Sequence, residues 1–179
     1  MSDAKLERIA LLAELVKQAP AKLGRTAIMK LMFFLKVLRN VPLPYDFRLY
    51  TYGPFDSDVL GDLAYAEALD AVRSAIVAYP GGYGYEYSAG PQAARIEEHD
   101  RDLVEQHRES IRWVLERFGH RSAVDLEMAS TLVYIDRQKP GTSIPELAKK
   151  VSTVKPHLTL PAIEREARTL KEQALLTAA

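Results

Sequence analysis

Between Ala27 and Leu38 the only polar side chains are Lys30 and Lys36. A helix carrying that run is apolar almost all round, so it belongs at the buried centre of a domain. Gly24-Arg25-Thr26 opens it, and Asn40 through Pro44 stops it, because each proline pushes the residue before it towards extended backbone. The aromatic stretch Phe47-Arg48-Leu49-Tyr50-Thr51-Tyr52 then reads as a short strand. The turn Tyr52-Gly53-Pro54-Phe55 leads into a helix with Asp56 as N-cap and Asp58 in its first turn. Val59, Leu63, Ala66 and Leu69 form the apolar stripe of that helix.

Ahead of this core, Leu6, Ile9, Ala10, Ala13 and Val16 repeat at helical period, and Pro20 ends the helix they mark. Downstream, residues 74–79 and 85–89 read as a hairpin around Pro80-Gly81-Gly82-Tyr83-Gly84. Helix, helix, strand, helix, hairpin is the order of a winged helix. Gly90-Pro91 marks a boundary. Beyond it Leu103, Val104, His107, Ile111, Val114, Leu115 and Phe118 stripe one long helix, which takes in His99 as well and is capped by Gly119. Ser122-x-x-Asp125 and Ser143-x-x-Glu146 open two further helices, and Thr159 opens a last one. The expected fold is mainly α with a small β-sheet. A winged-helix-like part spans residues 1–90, and a C-terminal helical bundle spans 91–179 with a helix-turn-helix-like end at 143–176.

With no cysteine, disulfides and thiolate chemistry are excluded. The N-terminus lacks the run of a signal peptide, and no apolar stretch approaches the roughly 20 residues of a membrane span, so a cytoplasmic protein with no membrane partner is expected. The histidines at 99, 107, 120 and 157 lack metal-ligand spacing, and Gly81-Gly82-Tyr83-Gly84 is a turn rather than a phosphate loop. The expectation is a non-enzymatic protein without cofactor or metal. Net charge is zero, yet residues 56–136 carry sixteen acids against seven bases between two basic ends. That pattern reflects either partners or internal complementarity.

Lys30-Leu31-Met32-Phe33-Phe34-Leu35, then Phe47 and Tyr50-x-Tyr52-Gly53-Pro54-Phe55, then the helix from Ser57 to Leu69, resemble the Panacea-domain proteins, including the uncharacterised YwgA-type proteins of bacteria and archaea. Leu126-Glu127 with Ser130-Thr131 faintly continues the likeness. It implies a mostly helical intracellular protein without cofactor. Some relatives neutralise a toxin by direct protein contact.

The aromatic residues suit a protein-contact surface. Ten of the fifteen lie between Tyr45 and Tyr87, and Tyr79, Tyr83, Tyr85 and Tyr87 cannot all face inward. The expected partner site combines Lys30, Tyr52, Gly53, Pro54, Phe55, Asp58, Asp62, Tyr83 and Tyr85. Lys30 either snorkels, pairs with a carboxylate, or lines a partner groove. The partner is another protein, with a toxin, a regulatory target or a second copy of the chain as candidates. The alternative is nucleic-acid binding by the C-terminal helices through Lys149, Lys150, Lys155, Arg165 and Arg168. The winged part is unsuited to that role, because residues 56–72 hold five carboxylates and no Lys or Arg.

Overall fold

A computed structural model describes residues 3–178. In chain order the elements are α1 (Asp3–Gln18), β1 (Leu23–Gly24), α2 (Arg25–Arg39), β2 (Arg48–Tyr50), β3 (Gly53–Phe55), α3 (Ser57–Ala68), β4 (Val72–Tyr79), β5 (Gly82–Ala89), α4 (Ala93–His99), α5 (Arg101–Phe118), α6 (Ala123–Gln138), α7 (Ile144–Val154) and α8 (Leu160–Glu172). The chain is mainly helical with two small antiparallel sheets, β1-β5-β4 and β2-β3. It divides into two compact units: residues 3–46 with Asp56–Arg121, and Phe47–Phe55 with residues 122–178. The units therefore do not follow the boundary expected at residue 90, since α4 and α5 belong with the first.

In the first unit α2 is the centre. Every residue from Ile28 to Leu35 is buried, Lys30 included. The Phe34 ring stacks on Phe118 of α5 with centroids 4.0 Å apart. Asn40 ends the helix in the left-handed region (φ 54°), its N–H bonded to the Leu35 carbonyl. Asp56 caps α3, its side chain accepting from the Asp58 N–H at 2.8 Å.

The sheet departs from the expected order in one respect. Residues 47–52 do not supply its third strand. That place is taken by β1, between α1 and α2, which pairs Leu23 with Tyr87 and Gly24 with Glu86. The expected strand instead pairs with the residues that follow it, Gly53–Phe55, as the β2-β3 hairpin, with Gly53 (φ 90°) turning the chain after Thr51-Tyr52. The expected long helix after Gly90 is likewise two helices. Asp100 (φ −124°, ψ 42°) breaks it, so His99 and His107 lie on different elements.

In the second unit α6, α7 and α8 pack around Leu126, Ala129, Leu132, Val133, Leu147, Val151, Ile163, Ala167 and Leu170, all buried. Ser122 caps α6 by accepting from the Asp125 N–H at 3.1 Å. Asp136, fully buried, takes the Thr177 N–H and hydroxyl at 2.9 Å each and so anchors the C-terminal segment.

Candidate partner-binding surface

The β4-β5 hairpin is closed by Pro80-Gly81, with Gly81 at φ 92°, the residue pair and sign of a type II turn. Each strand is eight residues long, but β1 covers β5 only at Glu86 and Tyr87. The hairpin therefore outruns the core beneath it. Tyr83, Tyr85 and Tyr87 share one face, spaced by two, and their burial is graded along it. Tyr87 is 1% exposed and takes a hydrogen bond from Arg25 Nε at 3.0 Å. Tyr85 is half-buried under the Arg25 guanidinium, 4.0 Å from its ring. Tyr83 is 74% exposed.

Cross-strand partners place Ile76 beside Tyr85 and Ala78 beside Tyr83 on that same face. Ile76 is 69% exposed. The result is an uncovered apolar strip of Ile76, Ala78, Tyr83 and the free part of Tyr85. On the opposite face Tyr79 lies across β5, possible because Gly84 has no Cβ; one built there would meet the Tyr79 ring at 2.9 Å. Its hydroxyl donates to Glu86 Oε1 at 3.2 Å. β4 is also an edge strand, with β5 on one side and no described strand on the other.

A second cluster lies in the other unit, at the turn between β2 and β3. Lys155, 1% exposed, donates from Nζ to the carbonyls of Tyr50 (2.8 Å) and Thr51, and pairs with Glu127 Oε1 at 3.1 Å. Glu127 is itself buried and meets His157 Nε2 at 3.3 Å through its other oxygen. Gly53 lies under the same cluster, where a Cβ would come within 3.1 Å of Thr131 Oγ1 and 3.2 Å of Ser130 Oγ. The turn and the segment Glu127 to Thr131, distant in sequence, meet here.

Several expected site residues change character. Lys155 is a structural ammonium inside the unit, so it is not a nucleic-acid contact. Arg168 is exposed but paired with Glu164 at 3.0 Å, while Lys149 and Arg165 are exposed and Lys150 is half-buried. Asp62 was expected on an acidic surface. It is 2% exposed and takes Arg8 Nε at 2.6 Å, a second Arg8 nitrogen at 3.1 Å, and the Tyr45 hydroxyl at 2.9 Å. Burial first, then the Asp62 charge, push the Tyr45 phenol well above its usual range, which keeps it a donor. Asp58 stays exposed in the first turn of α3. Lys30 is buried in α2. Tyr52 is exposed, Gly53 and Pro54 are buried, and Phe55 is half-buried with its ring 5.7 Å from Tyr50.

The expected site residues are drawn from both units. Tyr83 and Tyr85 join Ile76 on the hairpin; Tyr52, Gly53, Pro54 and Phe55 form a separate hairpin in the other unit. Ile76 and Arg25 were not singled out from sequence, although alternation along 72–79 was the signal that would have found Ile76. A further charged cluster in the first unit joins Glu14 to Arg108 at 2.9 Å and to Lys17 at 3.1 Å. Lys17 also pairs with the buried Glu97. Burial opposes the charge on Glu14, but hydrogen bonds from Gln18, Arg108 and Lys17 outweigh it and hold its carboxyl low. Burial raises the Glu97 carboxyl. A groove of about 230 Å³ lined by Glu97, Glu98, Arg101, Glu105 and Arg108 lies alongside. Its carboxylates are interleaved with guanidiniums, Arg101 with Glu98 and Arg108 with Glu105. Among the described residues no three of His, Asp and Glu are grouped to hold a metal ion, and no helix is long and apolar enough to cross a membrane. No protein-family model and no curated protein matches this chain.

Proposed function

We propose that this protein is a protein-interaction module whose contact surface is the projecting β4-β5 hairpin. One observation carries the reading: Ile76 and Tyr83 stand more than two-thirds exposed, diagonal neighbours on a sheet face that continues the core. Burying such side chains against a partner contributes about 1.5–3 kcal/mol each, and tyrosine is favoured at interfaces. The likeness of the central stretch to Panacea-domain proteins, some of which act by direct protein contact, agrees in kind. The nucleic-acid alternative is weakened, since Lys155 and Arg168 among its five cations are already engaged.

The test is the double variant Ile76→Ser/Tyr83→Ser. Both side chains are exposed, so stability should stay within about 1 kcal/mol of wild type. Affinity for a partner first captured by the wild-type protein, then purified and titrated, should fall about a hundredfold, as for the loss of two contact residues. Equal affinity of the two proteins would sink the reading. A Lys149→Glu/Arg165→Glu protein should bind that partner as wild type does.

A further inference from the structure

We propose that the outer edge of β4 pairs with β4 of a second copy of this chain, antiparallel about a two-fold axis through Ile76. The inference rests on the reading of the hairpin as a contact surface and names the occupant of its free edge, which leaves the Ile76-Tyr83 face open.

The first observation is backbone geometry. The closing pair of the hairpin is Tyr79 with Gly82 across a two-residue loop, which makes it a hydrogen-bonded pair. Alternation then assigns Val77, Ala75 and Arg73 to the ladder with β5. The N–H and C=O groups of Ser74, Ile76 and Ala78 point to the other edge, where no described strand lies. β1 pairing at Tyr87 obeys the same alternation on the far side of β5. An eight-residue edge of this kind carries none of the usual guards against pairing: no proline, no bulge, and Arg73 as its one charge.

The second observation is self-complementarity, which a two-fold interface requires. Centring the pairing on Ile76 sets Ile76 opposite itself, Ser74 opposite Ala78, Ala75 opposite Val77, and Arg73 opposite Tyr79. The small residues fall next to the axis, where two backbones approach to about 4.7–4.9 Å. Each Arg73 is set opposite the neutral Tyr79 of the other copy and not opposite the other Arg73. The two Arg73 guanidiniums lie at opposite ends, about 20 Å apart over six residues. The Ile76-Tyr83-Tyr85 strips of the two copies join into one continuous apolar face. A strand of unrelated sequence would have to match this pattern by chance.

The absence of cysteine makes the register directly testable. In Ile76→Cys the two introduced residues would sit about 5.5 Å apart at Cα, within disulfide reach. Ser74→Cys alone and Ala78→Cys alone would each place the pair about 13 Å apart, beyond reach. A mixture of those two variants would bring them together. The expected results are a covalent dimer for Ile76→Cys under mild oxidation, cross-linking of the 74/78 mixture, and little from either variant alone. Sedimentation equilibrium of the wild type over about 1–200 μM should show a monomer–dimer equilibrium, the range in which a small interface associates. Ile76→Pro removes an N–H that the β5 ladder does not use, as edge strands tolerate. It should weaken the dimer at least about tenfold, since one bond is lost from each side. A monomer throughout that range, or Ile76→Cys cross-linking no faster than Gly61→Cys at an exposed position of α3, overturns self-pairing. If the Ile76→Ser/Tyr83→Ser protein nevertheless loses its captured partner, the contact surface stands and another chain occupies it. If it does not, both readings fall.

Discussion

Lys155→Met is the sharpest probe of how the second unit is held together. Methionine keeps most of the apolar stem and removes only the ammonium. That ammonium bonds the Tyr50 and Thr51 carbonyls and pairs with Glu127. Three charge-assisted contacts at about 1.5–3 kcal/mol each would give a gross gain of about 4.5–9 kcal/mol. Burying the ammonium costs several kcal/mol in the other direction. Taking away one partner leaves the carboxylate and both carbonyls in place, so the net loss should be about 3–5 kcal/mol. Urea unfolding followed by far-ultraviolet circular dichroism measures the total, and amide exchange at residues 50–53 measures the turn itself. Lys155→Met/Glu127→Leu should cost less than the sum of the two single changes, because neither charge is then stranded. A loss below about 1 kcal/mol for Lys155→Met, with unchanged exchange in the turn, would show that the ammonium is hydrated and the turn stands without it.

Two further outcomes follow from buried polar groups of the first unit. Asp62→Ala should cost about 2–4 kcal/mol in denaturant unfolding: Arg8, a fifth exposed, can rehydrate, but the buried Tyr45 hydroxyl cannot. A change below about 0.5 kcal/mol would mark Asp62 as a surface acid after all. His107 is buried, its Nε2 without a hydrogen-bond partner among the described residues, and burial lowers its pKa. The unfolded chain then binds the extra proton first, so this contribution is complete above the unfolded value near about 6.5 and is lost as pH falls through the folded one. His107→Met should flatten the stability profile between about pH 7 and 5 relative to wild type, and an unchanged slope would refute the assignment.

What could be read from the chain in advance was whatever depends on neighbours in sequence. The all-round apolar run announced α2, the caps at Asp56 and Ser122 announced α3 and α6, and the stripe from Val104 to Phe118 announced α5. Pairing across distance was not legible. Residues 47–52 have strand composition, but the positive φ of Gly53 turns the chain so that they pair with the three residues after them. The two residues that complete the main sheet, Leu23 and Gly24, are too few to show alternation. Asp100 ends α4 without glycine or proline, so nothing in the local pattern breaks the helix there.

The site was harder to read because a charge in a sequence carries no sign of which way it points. Asp62 sits on an acidic helix, yet its partner is 54 residues away on α1; Lys155 sits in a basic segment, yet it reaches carbonyls more than 100 residues earlier. Both look like surface charges until the partner is known, and both are among the most buried polar groups of their units. The tyrosines make the complementary point. Tyr83, Tyr85 and Tyr87 have the same spacing, the same face and much the same neighbours in sequence, but one is core, one is half-covered and one stands in solvent. What separates them is that β5 runs eight residues while β1 supports only two of them. A strand that continues past its support keeps the core-facing pattern of side chains and loses the core. An apolar strip of that origin needs no special composition, and its position follows from the length of the hairpin and not from any motif within it.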